Sequence, residues 1–179
     1  MHLTQLPRTI GQVDDKIVDC FRGLVTGRVP WPLFIAGPAG IGKTRAALAL
    51  MDHCDWNSAE PPDDFMLRAS VYYTVRRLCT DIIAENSGNS EKHPGRTWRS
   101  VGSAAIATLD EIGSRQQVSE FHYETVCEFL DLRECSPAIY LSNLRITELA
   151  KIYDDRVASR LASGTVLELE GPDRRIHNQ

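Results

Sequence analysis

The chain has 179 residues, of which 42% are hydrophobic and 25% charged, the proportions of an ordinary globular domain rather than a disordered or fibrous chain. A formal net charge of -4 excludes a surface that binds nucleic acid generally, so any contact with nucleic acid must be local. The five cysteines form no CxxC pair, and no apolar run is long enough to cross a bilayer. We therefore expect one cytoplasmic domain over residues 1–179, without a zinc site, a disulfide framework or a membrane contact.

Short apolar runs predict five strands that alternate with helical patterns along the chain. The predicted strands are PLFIAG (32–37), FMLRASV (65–71), AAIATLD (104–110), AIYLSN (138–143) and TVLELE (165–170). The predicted helices cover residues 13–25, 43–53, 74–85, 115–132 and 147–162. The first helix lies in an N-terminal lead-in, residues 1–30, and residues 85–102 are predicted to be a long insertion loop. This alternation predicts an α/β fold, in which helices cover both faces of a central five-stranded parallel sheet.

The stretch GPAGIGKT, residues 37–44, matches GxxxxGK[ST] between the first predicted strand and the helix that follows it. Glycines in such a loop let successive backbone N–H groups converge on phosphates at the positive end of a helix. We expect Lys43 to bridge the β- and γ-phosphates of ATP, and the Thr44 hydroxyl to bind Mg²⁺. The predicted nucleotide-binding residues are Gly37, Pro38, Ala39, Gly40, Ile41, Gly42, Lys43 and Thr44.

Polar side chains follow the third and fourth predicted strands. Asp110 and Glu111 lie at the end of the third predicted strand, and Asn143 lies at the end of the fourth. Ligands of open parallel sheets bind beyond the carboxyl ends of the strands, so all three residues are expected beside the phosphate loop. Asp110 suits Mg²⁺, Glu111 suits a base that orients an attacking water, and Asn143 suits the water or a γ-phosphate oxygen. The alternatives are a solvated acidic turn and an asparagine that starts a loop.

Basic residues outnumber acidic ones between residues 68 and 99, against the net acidic charge of the whole chain. Single-stranded nucleic acid is commonly held by basic grooves that carry aromatic side chains, and Trp98 has the right chemistry for stacking on bases. The candidate nucleic-acid residues are Arg76, Arg77, Arg96, Trp98 and Arg99. The alternative is a solvated loop in which Trp98 packs against the core.

The stretch YDDRVASRLASG, residues 153–164, places Arg156 and Arg160 four positions apart on one face of a predicted helix. Like charges at this spacing cost a helix a few tenths of a kcal/mol. A cation near a helix C-terminus is favoured by the helix dipole, which accounts for Arg160 but not for Arg156. The pattern therefore leaves open a functional role for the two arginines.

Taken together, GPAGIGKT, TLDEI, LSNL and DRVASRL resemble the core of the AAA+ ATPases, which are P-loop NTPases with a three-layer fold. Within that class the chain is most similar to DnaC-type helicase loaders, their phage and prophage relatives, and the IstB transposition ATPases. The less generic parts of the resemblance are FHYETVCEFLDLRE (121–134) and residues 155–175. The resemblance covers roughly residues 14–175 and implies an ATPase that uses ATP and Mg²⁺.

The resemblance also implies a role for each matching residue. Lys43 and Thr44 correspond to Walker A, Asp110 and Glu111 to Walker B, and Asn143 to the sensor-1 amide. Further along the chain, Arg160 corresponds to an arginine finger that reaches a neighbouring subunit's nucleotide, and Arg156 orients it or holds the subunit interface. Arg174 or Arg175 falls near a sensor-2 arginine of some relatives.

The function implied by the resemblance is ATP-dependent assembly of a homo-oligomer that acts in DNA replication as a helicase loader. The implied partners are a replicative helicase and single-stranded DNA. An IstB-like regulator of transposition or replication, acting as a nucleotide-gated DNA-binding module, is the alternative, and a small-molecule P-loop kinase is a third reading. Loaders of this type usually add an N-terminal domain and AAA+ proteins a helical lid, whereas here the sequence ends soon after Gly171, so little or no C-terminal lid is expected.

Overall fold

The centre of the fold is a parallel sheet of five strands. The strands are β1 (Leu33–Ala36), β2 (Val71–Thr74), β3 (Ala107–Ile112), β4 (Ala138–Ser142) and β5 (Thr165–Glu168). Their order across the sheet is β2-β3-β4-β1-β5, and all neighbouring pairs are parallel. The computed structural model describes residues 13–57, 70–87, 94–114 and 117–172 of the chain. The predicted α/β fold with a five-stranded parallel sheet is confirmed.

Helices cover both faces of this sheet. In the described residues they are α1 (Asp15–Val25), α2 (Lys43–Asn57), α3 (Val75–Asn86), α4 (Arg96–Ser103), α5 (Glu120–Leu132), α6 (Ile146–Ile152) and α7 (Asp155–Leu161). Alternate residues of a strand point to opposite faces, so Leu33 and Ile35 pack with α1 and α2, whereas Phe34 and Ala36 pack with the core that α3 to α7 share. The result is a three-layer sandwich. None of the helices within the described ranges is long and apolar enough to cross a membrane.

The second strand lies later in the chain than predicted. The strand is Val71–Thr74, whereas residues 65–71 were predicted, of which 65–69 lie outside the described residues. Thr74, the predicted start of the following helix, instead ends the strand and caps α3 by accepting a hydrogen bond of 3.1 Å from the N–H of Arg77. The sequence VYYT consists of β-branched and aromatic residues that favour a strand, so the boundary between strand and helix had to move toward the C-terminus.

The insertion predicted as a loop over residues 85–102 is partly helical, which corrects that prediction. The helix is α4, whose N-terminus is held by the buried carboxylate of Glu85. Glu85 Oε1 accepts hydrogen bonds from the backbone N–H of Thr97 at 3.0 Å and from its hydroxyl at 2.5 Å. A carboxylate in this position satisfies a backbone donor that has no partner within the helix and is favoured by the helix dipole. This capping residue lies far from the helix in sequence, so local patterns did not reveal it.

The helix predicted over residues 147–162 is two short helices, α6 and α7, which corrects that prediction. The break lies at Tyr153, and Asp154 starts α7 by accepting a hydrogen bond of 2.8 Å from the N–H of Val157. Asp154 also accepts a hydrogen bond of 2.6 Å from the hydroxyl of Tyr123, which joins α7 to α5. Of the helix predicted over 115–132, residues 115 and 116 lie outside the described residues, and the helix begins at Glu120, where Ser119 caps it.

Candidate nucleotide-binding site

The predicted phosphate loop, residues 37–42, connects β1 to α2 and encloses the charged end of Lys43. The Nζ atom of Lys43 donates to the carbonyl oxygens of Gly37 at 2.6 Å and Pro38 at 2.9 Å. It also donates to Oδ1 of Asn143 at 2.7 Å, although the two residues are 100 positions apart in sequence. Asn143 follows β4, which is the neighbour of β1 in the sheet. The structure therefore brings together the predicted lysine and the predicted asparagine at one edge of the sheet.

The glycines of this loop have backbone conformations that other residues rarely adopt. Gly37 has φ 155° and Gly42 has φ 104°. A Cβ atom at Gly37 would also lie 2.7 Å from the carbonyl oxygen of Leu169, so any side chain there would collide with the backbone after β5. The sharp turn that these glycines permit ends where α2 begins, at Lys43. A glycine-rich turn into a helix N-terminus suits phosphate groups because backbone N–H groups and the helix dipole both favour an anion.

Asp110 is the centre of a group of hydrogen bonds beside the phosphate loop. Its Oδ2 atom accepts from the hydroxyl of Thr44 at 2.6 Å and from the hydroxyl of Tyr72 at 2.7 Å. Its Oδ1 atom accepts from the backbone N–H of Glu111 at 2.6 Å. The residue is only 5% exposed, and these three donors compensate for the burial of its carboxylate. The carboxylate is thereby held against the first turn of α2.

The oxygen atoms of Thr44 and Asp110 fit Mg²⁺. This ion prefers hard oxygen ligands and in nucleotide sites takes few from the protein, because phosphates and waters supply the others. In the part of the chain that the structure describes, no group of three or more His, Cys, Asp or Glu side chains forms a metal site. The hydroxyl and carboxylate oxygens of Thr44 and Asp110 suit Mg²⁺ that arrives with a nucleotide.

Glu111 lies at a distortion of the third strand. The pairing of β3 with β4 changes register between Leu109 and Ile112, where one additional residue is accommodated on β3. Glu111 itself has φ 62°, in the left-handed region that few residues other than glycine adopt. Bulges and strained residues of this kind recur at active sites, where they direct a side chain away from the sheet. The Glu111 side chain is exposed and lines a pocket that also contains Arg76 and His122.

Tyr72 belongs to the site but was not among the predicted residues. It lies on β2, two positions before Thr74, which pairs with Asp110. Burial and the hydrogen bond to Asp110, with the charges of Asp110 and Glu111, raise the pKa of the Tyr72 hydroxyl above its usual range. Tyr72 therefore stays protonated and acts as a donor. The sequence signal that could have revealed Tyr72 is the alternation of side chains between the two faces of β2. The predicted position of that strand, residues 65–71, does not include Tyr72.

Arg156 and Arg160 lie on α7 and share one acidic partner, Asp131 of α5. Arg160 forms an ion pair with the Asp131 carboxylate, and Arg156 Nη2 lies 3.8 Å from Oδ2 of the same group. The Arg156 side chain is 61% exposed and that of Arg160 is 31% exposed. α7 packs with its Val157 and Leu161 on the opposite face of the sheet from α2. Both arginines are therefore on the molecular surface, held by α5 rather than by the phosphate loop.

The candidate nucleic-acid residues lie on two helices. Arg76 and Arg77 are exposed on α3, and Arg77 Nε lies 3.1 Å from Oδ1 of Asp81. Arg96 and Arg99 are exposed on α4, but Trp98 between them is half-buried and packs against the core. Arg76 faces the pocket that Glu111 lines. Arg174 and Arg175, predicted near a sensor-2 position, lie outside the described residues.

Comparisons with known proteins identify relatives of this fold. The chromosomal replication initiator DnaA of Synechococcus sp. is 26% identical over 148 residues, which cover 82% of this chain and 29% of the relative. The AMPPCP-bound DnaA of Aquifex aeolicus superposes with a TM-score of 0.67 at 17% identity, over 87% of this chain and 45% of that structure. The structure of DnaI superposes with a TM-score of 0.68 at 17% identity, over 89% of each chain.

These similarities establish the fold. The structure of the DnaC helicase loader superposes equally well, with a TM-score of 0.67 at 17% identity, over 87% of this chain and 89% of that structure. No family model matches the sequence, and the chain spans about a third of the length of the curated relatives it matches. The chain shares its fold, a five-stranded parallel sheet between layers of helices, with DnaA and the DnaC helicase loader, as the sequence predicts.

Proposed function

We propose that this chain binds and hydrolyses ATP with Mg²⁺, assembles through an arginine finger supplied by a neighbouring copy, and acts in DNA replication as a DnaC-like helicase loader. One observation carries the proposal. Lys43 donates to Asn143, and Thr44 donates to Asp110, so four residues from three distant motifs meet at one end of the sheet. These are the groups required to bind the phosphates, the metal ion and the attacking water.

Each of these residues has a defined chemical task in the proposed reaction. Lys43 would neutralise the β- and γ-phosphates, and Thr44 with Asp110 would hold Mg²⁺, which would supply positive charge next to the transferred phosphoryl group. Glu111 accepts a hydrogen bond from the attacking water, and Asn143 orients that water or a γ-phosphate oxygen. Lys43 and Thr44 are in the first turn of α2, which follows β1, and the other groups lie near the carboxyl ends of β3 and β4.

The arginine needed to complete the site comes, in this proposal, from a second copy of the chain. Arg160 is on the surface of α7, on the face of the sheet opposite to α2. Its ion pair with Asp131 is partly exposed, and exposed ion pairs contribute at most about 1 kcal/mol. In the proposed assembly the guanidinium exchanges Asp131 for the phosphate of an adjacent subunit. Arg156, one helical turn earlier, supports the interface between subunits.

The related structures support the proposed replication partners. One of the superposed structures is DnaA bound to AMPPCP and single-stranded DNA, and another is the DnaC helicase loader. We propose single-stranded DNA and a replicative helicase as the partners of this chain, and the cytoplasm as the place where it acts. Arg76, Arg77, Arg96 and Arg99 supply exposed cations for the DNA, and Trp98 contributes to stacking only if its ring leaves the core.

ATP hydrolysis per chain is expected to rise with protein concentration, because each active site needs an arginine from a neighbour. The measurement is phosphate release over a wide range of concentration, with and without single-stranded DNA, together with the native mass in the presence and absence of ATP. A rate per chain that stays constant while the mass remains that of one subunit would contradict the shared site. ATP binding and ATP-dependent DNA binding without turnover would instead favour the nucleotide-gated module.

A further inference from the structure

The second strand contributes an unexpected side chain to the magnesium site. Tyr72 and Tyr73 are adjacent on β2, and their side chains point to opposite faces of the sheet. Tyr73 packs against the core shared by α3 to α7, whereas Tyr72 packs on the face that carries α2. Because Thr74 pairs with Asp110, Tyr72 is the diagonal neighbour of Asp110 on that face. The sheet register thus directs the Tyr72 hydroxyl toward the metal-binding carboxylate.

The hydroxyls of Tyr72 and Thr44 donate to the same atom, Oδ2 of Asp110, at 2.7 and 2.6 Å. The two donors approach from different elements, a strand and a helix, so together they restrict the rotation of the carboxylate. Thr44 is itself an expected magnesium ligand, and its oxygen is then occupied by the ion. Tyr72 has no other expected part in binding the nucleotide, so it can keep Asp110 fixed whether or not Mg²⁺ is bound.

We propose that Tyr72 is a positioning residue for magnesium, which holds the Asp110 carboxylate in the orientation that receives the ion. The inference rests on the proposed function, because it takes Asp110 and Thr44 as the magnesium site. Residues that hydrogen-bond to metal ligands fix the orientation of those ligands, and their loss typically lowers metal affinity between about tenfold and a hundredfold. Removal of a single hydroxyl from Tyr72 is therefore expected to weaken Mg²⁺ binding without weakening the contacts to phosphate.

The test is a Tyr72→Phe chain, compared with the unmodified chain for binding of a non-hydrolysable ATP analogue. Affinity is measured by calorimetry in EDTA and over a magnesium titration, so no turnover is needed. We expect the Tyr72→Phe chain to need about ten times more Mg²⁺ to reach half of the gain in analogue affinity that Mg²⁺ produces. In EDTA, this variant is expected to bind the analogue normally. Tyr73→Phe is the matched control, because it removes the same atom from the next residue on the opposite face, and it is expected to titrate like the unmodified chain.

A second pair of variants tests whether Tyr72 acts through Asp110. Asp110→Asn alone is expected to remove most of the magnesium dependence, and Tyr72→Phe added to it is expected to have no further effect. Thermal unfolding of all variants without nucleotide tests whether each remains folded. The inference is overturned if Tyr72→Phe titrates like the unmodified chain, if it loses affinity equally in EDTA, or if the two substitutions have independent effects. An unmodified chain that binds no analogue in either buffer would overturn the proposed function as well.

Discussion

A Lys43→Ala chain is expected to bind ATP about a hundredfold more weakly than the unmodified chain, and to lose measurable hydrolysis. The ammonium group is held at the centre of the loop by two carbonyl oxygens and Asn143, a position from which it can bridge phosphates. A charge-assisted hydrogen bond contributes about 1.5 to 3 kcal/mol, and about 1.4 kcal/mol corresponds to a tenfold change in affinity. Binding of a fluorescent ATP analogue, measured directly, gives the affinity without turnover.

The control for this substitution is Lys151→Ala, which removes the same charge from an exposed position on α6. That variant is expected to bind ATP with unchanged affinity, since α6 packs on the opposite face of the sheet from α2. Thermal unfolding without nucleotide separates a loss of binding from a loss of folding. If folded Lys43→Ala chain binds ATP as tightly as the Lys151→Ala control, the phosphate loop is not the nucleotide site.

Replacing Arg160 by alanine is expected to lower the rate of ATP hydrolysis about a thousandfold in the assembled protein, while ATP affinity stays close to normal. The guanidinium stabilises charge that develops on the transferred phosphoryl group, and the nucleotide is bound chiefly by the other subunit's phosphate loop. Hydrolysis and nucleotide affinity are measured separately, at protein concentrations that support assembly and with single-stranded DNA present. A normal rate under these conditions would contradict the arginine-finger assignment.

Two controls separate catalysis by Arg160 from its contact with Asp131. Arg160→Lys keeps a cation opposite Asp131 but lacks the planar guanidinium, so it is expected to fold normally and to hydrolyse ATP slowly. Arg22→Ala removes an exposed arginine that pairs with Asp19 on α1, and it is expected to have no effect on hydrolysis. Slow hydrolysis by Arg160→Ala together with a normal rate for Arg160→Lys would assign the residue a role in charge balance alone.

The sequence was sufficient to predict the parallel sheet, the glycine-rich turn between β1 and α2, and the polar residues near the carboxyl ends of β3 and β4. These features depend on short patterns: GPAGIGKT between a strand and a helix, and Asp110 or Asn143 at the end of an apolar run. The order of the elements then requires these residues to meet, since the carboxyl ends of parallel strands share one edge. The contacts of Lys43 with Asn143 and of Thr44 with Asp110 agree with that expectation.

Contacts that depend on the register of the sheet or on distant packing could not be predicted in this way. Tyr72 reaches Asp110 only because Thr74, and not a neighbour, pairs with that residue. The sequence places Asp131 in a predicted helix, and its contact with both arginines depends on how α5 packs against α7. No local pattern indicates the role of Arg133, which is buried. Its guanidinium donates to the carbonyl oxygens of Val101, Gly102, Ala104 and Pro137.

The central claim, that one active site is built from two copies of the chain, is tested most directly by mixing two inactive variants. Lys43→Ala binds nucleotide weakly and does not hydrolyse it, but it keeps Arg160, whereas Arg160→Ala binds nucleotide but cannot complete a neighbour's site. In a mixture, the first variant can supply the arginine to ATP bound by the second. We expect hydrolysis to reappear to a fraction of the unmodified rate, and to depend on the ratio of the two variants. A mixture that assembles with ATP but hydrolyses no faster than the sum of its components would contradict the claim.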